Sequence, residues 1–310
     1  MGRPGNRRRR AWKGKGSADL KSVARYCWIN GKWHTADRPL ILPANRAYLY
    51  GDGVFETFRS RAGRFFRLER HLARMHRGMD VLGLDTGDGL ANALEALQDV
   101  FDRIGSKDVV FRITVSRGSG WLQLSSIAPA EVVVLAQLAP DSPPEAGRAV
   151  LSSVMRDATS PFADVVTCNW LPHILALREA EGLGYDEAIL VNNSGHLVEA
   201  SSSNLFWITS GELFTPAVEC GALPGITREA VIESAAAAGI RVLEGSYQPE
   251  ALSAAEAAFV TSAVAGVRQL ISFGDAPLLR EDSRGVMSRV RQQLERLIAS
   301  ETHAASPGKR

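Results

Sequence analysis

Lysine and cysteine are scarce in this chain, and long apolar runs are missing. Of its 36 lysines and arginines only six are lysine, namely Lys13, Lys15, Lys21, Lys32, Lys107 and Lys309. Residues 108–308 therefore contain no side-chain amine. No run approaches the 18 or more apolar residues that span a membrane, so we expect a protein that does not enter the membrane.

The three cysteines, Cys27, Cys168 and Cys220, are far apart and show no metal-ligand spacing. They do not form the framework of a disulfide-rich fold, so we expect a reducing, cytoplasmic environment and no metal site. Apolar residues make up 45% and charged residues 23% of the 310 residues, as in soluble globular proteins.

The formal net charge of +2 is unevenly distributed along the chain. Residues 1–20 carry seven cations and one anion, a net charge of +6, which leaves −4 for the remainder. A mildly acidic body argues against a nucleic-acid-binding core, although the basic segment could contact an anionic partner. Such charge blocks are typical of solvated extensions, so we expect disordered tails at 1–22 and 301–310.

Turn residues and apolar periodicity predict the main elements. Asn30-Gly31 supplies the positive backbone angles of a tight hairpin turn, and a second hairpin is expected to turn at Ala62-Gly63. Apolar residues at helical spacing predict a helix over 68–82, and further helices are expected over 171–181 and 227–238.

A proline-rich segment divides the chain. Three prolines lie within 140–147, and proline neither continues a helix nor donates to a sheet, so we place a linker at 140–148. It separates a small domain at 23–139 from a larger one at 149–300. Both mix hairpins with flanking helices, which predicts an α+β architecture of two domains.

Several short motifs follow one another in a fixed order. They are Tyr50-Gly51-Asp52-Gly53-Val54-Phe55-Glu56-Thr57, Leu68-Glu69-Arg70-His71-Leu72-Ala73-Arg74-Met75, Asn169-Trp170-Leu171, Gly195-His196-Leu197-Val198-Glu199-Ala200, Ser203-Asn204-Leu205-Phe206 and Leu223-Pro224-Gly225-Ile226-Thr227-Arg228. Together they resemble class IV aminotransferases, which include branched-chain and D-amino-acid aminotransferases and aminodeoxychorismate lyases. The resemblance covers residues 26–298 and implies the two-domain architecture of fold-type IV pyridoxal-phosphate enzymes.

The resemblance also implies a cup for pyridoxal phosphate. Its predicted cofactor-binding residues are Arg74, Glu199, Asn204, Gly225, Ile226, Thr227, Ser262 and Ala263. Arg74 matches the phosphate arginine, and Thr227 lies at a helix start whose free N–H groups favour an anion. Glu199 matches the carboxylate that keeps the pyridine nitrogen protonated. Taken singly, these three could also be a surface arginine, an ordinary helix residue and an exposed strand residue.

Two cofactor positions depart from the family pattern. At Ala263 the family often has a hydroxyl that faces the phosphate, and losing one neutral hydrogen bond weakens binding by roughly 0.5–1.5 kcal/mol. The Schiff-base lysine lies three residues before the motif asparagine in the lyase and D-amino-acid branches, which is Val166 here. The branched-chain pattern would put it at Val165.

Valine changes the expected chemistry. The family's lysine forms the internal aldimine and moves a proton between substrate and cofactor, and a hydrocarbon side chain does neither. We therefore expect ordinary transamination to be lost by orders of magnitude. Pyridoxal or pyridoxamine phosphate, or a preformed aldimine, could still bind non-covalently; use of no cofactor is the other alternative.

Three side chains are candidates to replace lysine. On a strand, Cys168 would share a face with Val166, and His173 on the following helix could transfer protons. Tyr50 could serve as an acid or a base. The alternatives are packing roles: a small core cysteine, a helix-surface histidine and a tyrosine at a dimer seam.

The predicted substrate pocket comprises Phe55, Arg117, Trp121 and Trp170. Where the lyase and D-amino-acid branches carry a second arginine that can meet a substrate carboxylate, this chain has Trp121 and Leu122. That indicates a more apolar pocket, or none. The resemblance implies a homodimer that binds a small amino- or carboxylate-bearing metabolite. The hypotheses are an atypical enzyme and a non-catalytic protein that keeps the fold for dimerisation or binding.

Overall fold

A computed structural model describes residues 25–35, 37, 40–120, 124–125, 128–140, 146–279, 282 and 284–304. The predicted basic tail, Trp121 and most of the predicted linker lie outside these residues. None of the described helices is long and apolar enough to cross a membrane.

The strands are β1 (Arg25–Ile29), β2 (Lys32–Thr35), β3 (Gly53–Arg61), β4 (Arg64–Phe65), β5 (Val109–Ser116), β6 (Glu131–Leu138), β7 (Ala146–Arg156), β8 (Glu187–Asn192), β9 (Leu197–Ala200), β10 (Asn204–Thr209), β11 (Glu212–Pro216), β12 (Val242–Gly245), β13 (Ala257–Ser262), β14 (Gly266–Phe273) and β15 (Ala276–Pro277). The α-helices are α1 (Arg46–Tyr50), α2 (Leu68–Leu82), α3 (Gly89–Glu95), α4 (Val100–Ile104), α5 (Leu171–Gly182), α6 (Ile226–Ala237), α7 (Pro249–Ser253) and α8 (Val286–Ala304).

The N-terminal half of the described chain forms an antiparallel sheet in the order β2-β1-β6-β5-β3-β4, here called the small sheet. Because strand side chains alternate, Val54, Glu56 and Phe58 share one face of β3, and Phe58 packs there against His71 of α2. The opposite face carries Phe55, Thr57 and Arg59.

The C-terminal half forms a mixed sheet in the order β12-β11-β10-β13-β14-β7-β8-β9, with β15 paired to β14; it is here called the large sheet. Strands β8, β10 and β13 are buried along nearly their whole length. Apolar clusters cover both of its faces, one with α6 and α8 and the other with Leu252 of α7. Continuous apolar runs are typical of strands that are buried on both faces.

Most predicted elements are confirmed, and two differ at their ends. The turns at Asn30-Gly31 and Ala62-Gly63 have positive φ, and the three predicted helices lie within one residue of α2, α5 and α6. Strand β7 begins inside the predicted linker because Ala146 already pairs with β14. Helix α8 continues past residue 301 because Arg64 donates to the Thr302 carbonyl oxygen.

The two sheets meet at the segment expected to carry the lysine. The Phe55 N–H donates to the Val166 carbonyl oxygen (2.9 Å), and the Cys168 N–H donates to that of Gly53 (2.8 Å). Val54 and Thr167 form an isolated antiparallel bridge between these bonds. Backbone hydrogen bonds therefore fix residues 166–168 against β3 whatever their side chains.

Arg67 joins α2 to two helices that pack on the large sheet. It caps α2 with a left-handed backbone (φ 51°, ψ 41°), and its side chain is only 8% exposed. Its guanidinium binds Glu301 of α8 through Nε (2.9 Å) and Nη2 (2.8 Å) and also binds Glu233 of α6. These carboxylates, Glu301 foremost, raise the pKa of Arg67. The network sets the direction of α2.

Arg67→Met is expected to lower the free energy of unfolding by about 1–3 kcal/mol, because hydrogen bonds to charged groups are lost and carboxylates from two helices are left without their cation. Urea denaturation followed by circular dichroism measures the change. Arg241→Met is the control, because the Arg241–Glu212 pair is exposed and should contribute less than about 1 kcal/mol. Equal losses in both variants would contradict a special role for Arg67.

Candidate functional site

A cavity of about 720 Å³ lies between the small sheet, the segment 155–173 and the large sheet. Twelve predicted site residues line it: Phe55, Arg74, Val166, Trp170, His173, Glu199, Asn204, Gly225, Ile226, Thr227, Ser262 and Ala263. Within the described residues, no cluster of His, Cys, Asp and Glu is placed to hold a metal ion. The size is within the usual range of pockets that bind small molecules.

One end of the cavity is built around the first turn of α6. Gly225 precedes that turn with no side-chain cap, and a Cβ atom there would collide with Oδ1 of Asn204. The Asn204 side chain in turn donates to the Leu223 carbonyl oxygen (2.8 Å). The N–H groups that begin a helix lack intrahelical partners and favour an anion. This end can therefore bind a phosphate.

Arg74 reaches the same end from α2. Its Nε and Nη2 donate to the two carboxylate oxygens of Glu56 (2.6 and 2.9 Å), and Nη1 donates to the Pro224 carbonyl oxygen (3.0 Å). His71 Nδ1 is 2.7 Å from Glu56. Burial alone would raise the pKa of Glu56, but its hydrogen bonds with His71 and Arg74 outweigh burial and lower it. Glu56 is therefore a buried carboxylate that fixes Arg74.

Glu199 lies at another wall of the cavity. It accepts a hydrogen bond from the Leu223 N–H (3.1 Å) and pairs with Nε of Arg156 (3.3 Å). Burial raises the pKa of Glu199, and the positive charge of Arg156 partly offsets that effect. A buried carboxylate beside the phosphate-binding turn is suited to hold a protonated ring nitrogen.

His173 has both ring nitrogens engaged. Nδ1 is 3.0 Å from the Ser201 carbonyl oxygen and Nε2 is 3.0 Å from Nη1 of Arg156. Because a carbonyl only accepts and a guanidinium only donates, the proton belongs on Nδ1. Burial, and then the charge of Arg156, lower the pKa of His173 to about 4. The ring stacks on Trp170 with centroids 5.0 Å apart.

Val165 and Val166 occupy the two predicted lysine positions. They are 4% and 9% exposed, and both line the cavity. Val165 also packs against α2, where its Cβ lies 3.6 Å from the place a Gly78 Cβ would occupy. No lysine is among the described residues that line the cavity.

Three predicted residues do not line the cavity, and their roles stay predictions. Arg117 donates to Asp52 (3.0 Å) and to the Leu82 and Gly83 carbonyl oxygens at the end of α2. The ring of Tyr50 lies 4.9 Å from the guanidinium of Arg46.

The third of these residues is Cys168. Burial raises the pKa of its thiol, and the positive charge of Arg112 only partly opposes that rise. A raised pKa leaves less of the reactive thiolate at neutral pH. Trp121 lies outside the described residues.

Sequence reasoning missed two cavity arginines, Arg112 and Arg156. Arg112 makes no hydrogen bond or ion pair within the described chain, and its guanidinium lies 3.4 Å from the ring centroid of Phe55. Burial lowers its pKa, with partial compensation from Cys168. One signal was available, because Arg112 is the only cation in the strand Val109–Ser116.

The fold and this site place the chain in a known family. The sequence profile of class IV amino-transferases matches residues 53–273, so the chain belongs to that family and has the α+β fold of fold-type IV enzymes. The aminodeoxychorismate lyase of Bacillus subtilis is 28% identical over 242 residues, which cover 76% of this chain and 83% of that protein.

Solved structures agree. The branched-chain amino acid aminotransferase of Escherichia coli superposes with a TM-score of 0.83 at 26% identity, covering 92% of this chain and 98% of that one. An aminotransferase from Brucella abortus, solved with bound PLP, gives a TM-score of 0.79 at 26% identity and covers 91% of this chain and 100% of that one.

The engaged histidine generates a prediction about pH. A histidine with a folded pKa of about 4 takes up its proton more readily when the chain is unfolded, where the pKa is near 6.5. Stability is therefore lost as the pH falls from 6.5 towards 4, by on the order of 3 kcal/mol. The free energy of unfolding, measured in urea at several pH values, should fall less steeply with decreasing pH for His173→Gln than for the wild type. His76→Gln changes an exposed histidine on α2 and should keep the wild-type decline; a wild-type decline in His173→Gln would contradict the assignment.

Proposed function

We propose that this protein binds pyridoxal phosphate or pyridoxamine phosphate without a covalent bond, as an atypical class IV aminotransferase or lyase. Its substrate is a small amino- or carboxylate-bearing metabolite. One observation carries the proposal: the cavity keeps the phosphate-binding and ring-binding residues of the family, while Val165 and Val166 stand at the two lysine positions.

The residues present fit such a cofactor. Arg74 and the first turn of α6 would hold its phosphate, and Glu199 would hold its ring nitrogen. Thr261 lines the same cavity, and within the described residues its buried hydroxyl has no hydrogen-bond partner, so it is available to a polar ligand if the side chain turns towards the cavity. When bound, the cofactor supplies a ring that draws electrons from a substrate carbon.

Arg112 supports a carboxylate-bearing substrate. Its guanidinium faces the cavity with its donors unused by the described chain, and its stacking on Phe55 holds it flat against the aromatic wall that continues to Trp170. Arginine in this state is suited to a two-point contact with a carboxylate. The small sheet thus supplies a cation, although the family's second arginine is absent from the loop.

A second candidate function is binding without turnover. Two histidines line the cavity, and both are engaged: His71 with Glu56, and His173 with Ser201 and Arg156. Proton transfer at a substrate carbon needs a base within reach. The engaged histidines favour a protein that holds its ligand without moving that proton.

Titration with pyridoxal phosphate and pyridoxamine phosphate tests the proposal. The wild type should bind both, and borohydride reduction followed by mass spectrometry should find no pyridoxyl group on the protein. Val166→Lys should gain such a group, because the backbone of residues 166–168 is fixed against β3. Val165→Lys is the matched control. A smaller fraction of it should carry a pyridoxyl group, because the side chain at position 165 also packs against α2.

Two results would contradict the proposal: a pyridoxyl lysine in the folded part of the wild type, or no binding of either compound to the wild type and Val166→Lys. Exchange of the α-hydrogen of amino acids in deuterated buffer separates the two functions. An enzyme exchanges that hydrogen with the cofactor bound, whereas a protein that only binds does not.

We further propose that the protein is a cytoplasmic homodimer. All three cysteines are free, which suits a reducing compartment. Leu171, Ile174 and Leu175 on α5 are 64%, 47% and 48% exposed. Met155 and Phe162 are exposed too, and they line the cavity together with Pro172 and His173 of α5. A second copy covering this apolar surface would also close the site, and contiguous exposed apolar surface is typical of interfaces.

Ile174→Glu should shift the protein towards monomers, because a charge at the centre of an apolar interface is desolvated without a partner. Sedimentation velocity at several concentrations measures the change. Leu183→Glu, at the other end of α5 and 63% exposed, is the control and should keep the wild-type mass. A monomeric wild type at all concentrations would contradict the dimer.

A further inference from the structure

Arg59 carries an unpaired charge close to the site. Its Nε is buried and has no hydrogen-bond partner, and its guanidinium forms no hydrogen bond or ion pair with any described residue. Leaving a buried donor without a hydrogen-bond partner is unfavourable. The two terminal nitrogens of Arg59 have no partner among the described residues either, so the guanidinium is available to bind an anion.

Arg59 follows Phe55 and Thr57 along β3 and lies near the phosphate end of the large cavity. Phe55 and Thr57 lie on the same face of the strand and both line the large cavity. Arg59, two residues further on, lines a small cavity of about 40 Å³. The two cavities share four wall residues, His71, Thr227, Ser262 and Ala263. The small cavity therefore lies directly behind the first turn of α6.

Two other arginines line the small cavity, and both are engaged. Arg61 pairs with Glu295 (3.1 Å), and Arg64 donates to the Thr302 carbonyl oxygen (2.8 Å). Of the three, Arg59 alone lacks a partner within the described chain.

The charges at the phosphate end leave a place for another cation. Arg74 is neutralised by Glu56, which takes two of its hydrogen bonds. A phosphate bound there would meet the helix start and an ion pair of zero net charge. The side chain of Ala263 adds no donor, and the hydroxyls of Ser262, which accepts from the Ala265 N–H (3.2 Å), and Thr261 are neutral. An uncompensated guanidinium next to this wall would supply the missing charge.

We propose that Arg59 is a second phosphate-binding residue, which replaces the hydroxyl that Ala263 lacks. The proposal rests on the proposed function, since the phosphate is that of a bound pyridoxal or pyridoxamine phosphate. The guanidinium contacts the phosphate past the short side chain of Ala263. Phosphate binding in this chain then depends on the small sheet through both Arg59 and Arg74.

Isothermal titration of pyridoxamine phosphate at constant ionic strength tests the role of Arg59. Arg59→Met should weaken binding about 10- to 100-fold, the effect of losing hydrogen bonds to a charged group. Arg59→Lys keeps the charge and should recover part of the loss. Arg70→Met removes an exposed cation of α2 that lines neither cavity, and it should bind like the wild type.

Pyridoxamine without its phosphate is the specific control ligand. Arg59→Met should leave the weaker binding of pyridoxamine unchanged, because only the phosphate contacts Arg59.

Ala263→Ser restores a hydroxyl at this wall. It should improve the binding of pyridoxamine phosphate clearly in the Arg59→Met background and little in the wild type, because the hydroxyl and the guanidinium serve one phosphate. If Arg59→Met does not fold, Arg59→Lys and Ala263→Ser still test the role of Arg59. A clear gain in affinity for pyridoxamine phosphate from Ala263→Ser in the wild type would overturn the proposal.

The outcomes separate this inference from the function on which it rests. If the wild type binds neither pyridoxamine phosphate nor pyridoxal phosphate, the proposed function itself fails. If it binds pyridoxamine phosphate and Arg59→Met binds it equally well, Arg59 has no such role although the proposed function stands. Equal losses for pyridoxamine and its phosphate would also overturn the role of Arg59.

Discussion

The buried ion pair between Glu56 and Arg74 is the contact on which the site depends. Glu56 comes from β3, Arg74 comes from α2, and the remaining guanidinium nitrogen bonds the Pro224 carbonyl oxygen at the turn before α6. Removing one partner of a buried pair leaves the other charge unpaired, at a cost of about 3–5 kcal/mol. One guanidinium thus fixes the small sheet, a helix and the phosphate-binding turn at the same point.

This arrangement also divides the charges of the cavity. Arg74 and Arg156 each have a carboxylate partner, Glu56 and Glu199 respectively. Arg112 has none within the described chain and faces the open cavity. A ligand with one anionic group and one carboxylate would place the anionic group at the start of α6 and the carboxylate at Arg112 of the small sheet. The more apolar pocket that Trp121 and Leu122 indicate stays a prediction, because both residues lie outside the part of the chain that the structure describes.

Residues within local motifs could be predicted from the sequence. Residues that join the site through partners far along the chain could not. Arg74, Glu199 and Thr227 lie within contiguous motifs, so their places followed from the sequence. Arg156 could not be found that way, because its partner Glu199 is 43 residues away and joins it only in the folded chain. Arg117 fits the motif, but Asp52 and the end of α2 hold it away from the cavity. Strand β7 extends further than expected because sheet pairing, rather than local composition, determines where it begins.

Valine at the lysine position changes the chemistry more than the fold. The backbone of residues 166–168 is bonded to β3 through main-chain groups, which any side chain allows. A buried lysine without its cofactor would have to give up its charge or its hydration, whereas a valine buries apolar surface at no such cost. The segment is therefore compatible with a stable protein that lacks a ligand. If the ligand is held without a covalent bond, as proposed above, the arginines around the cavity contribute directly to its binding.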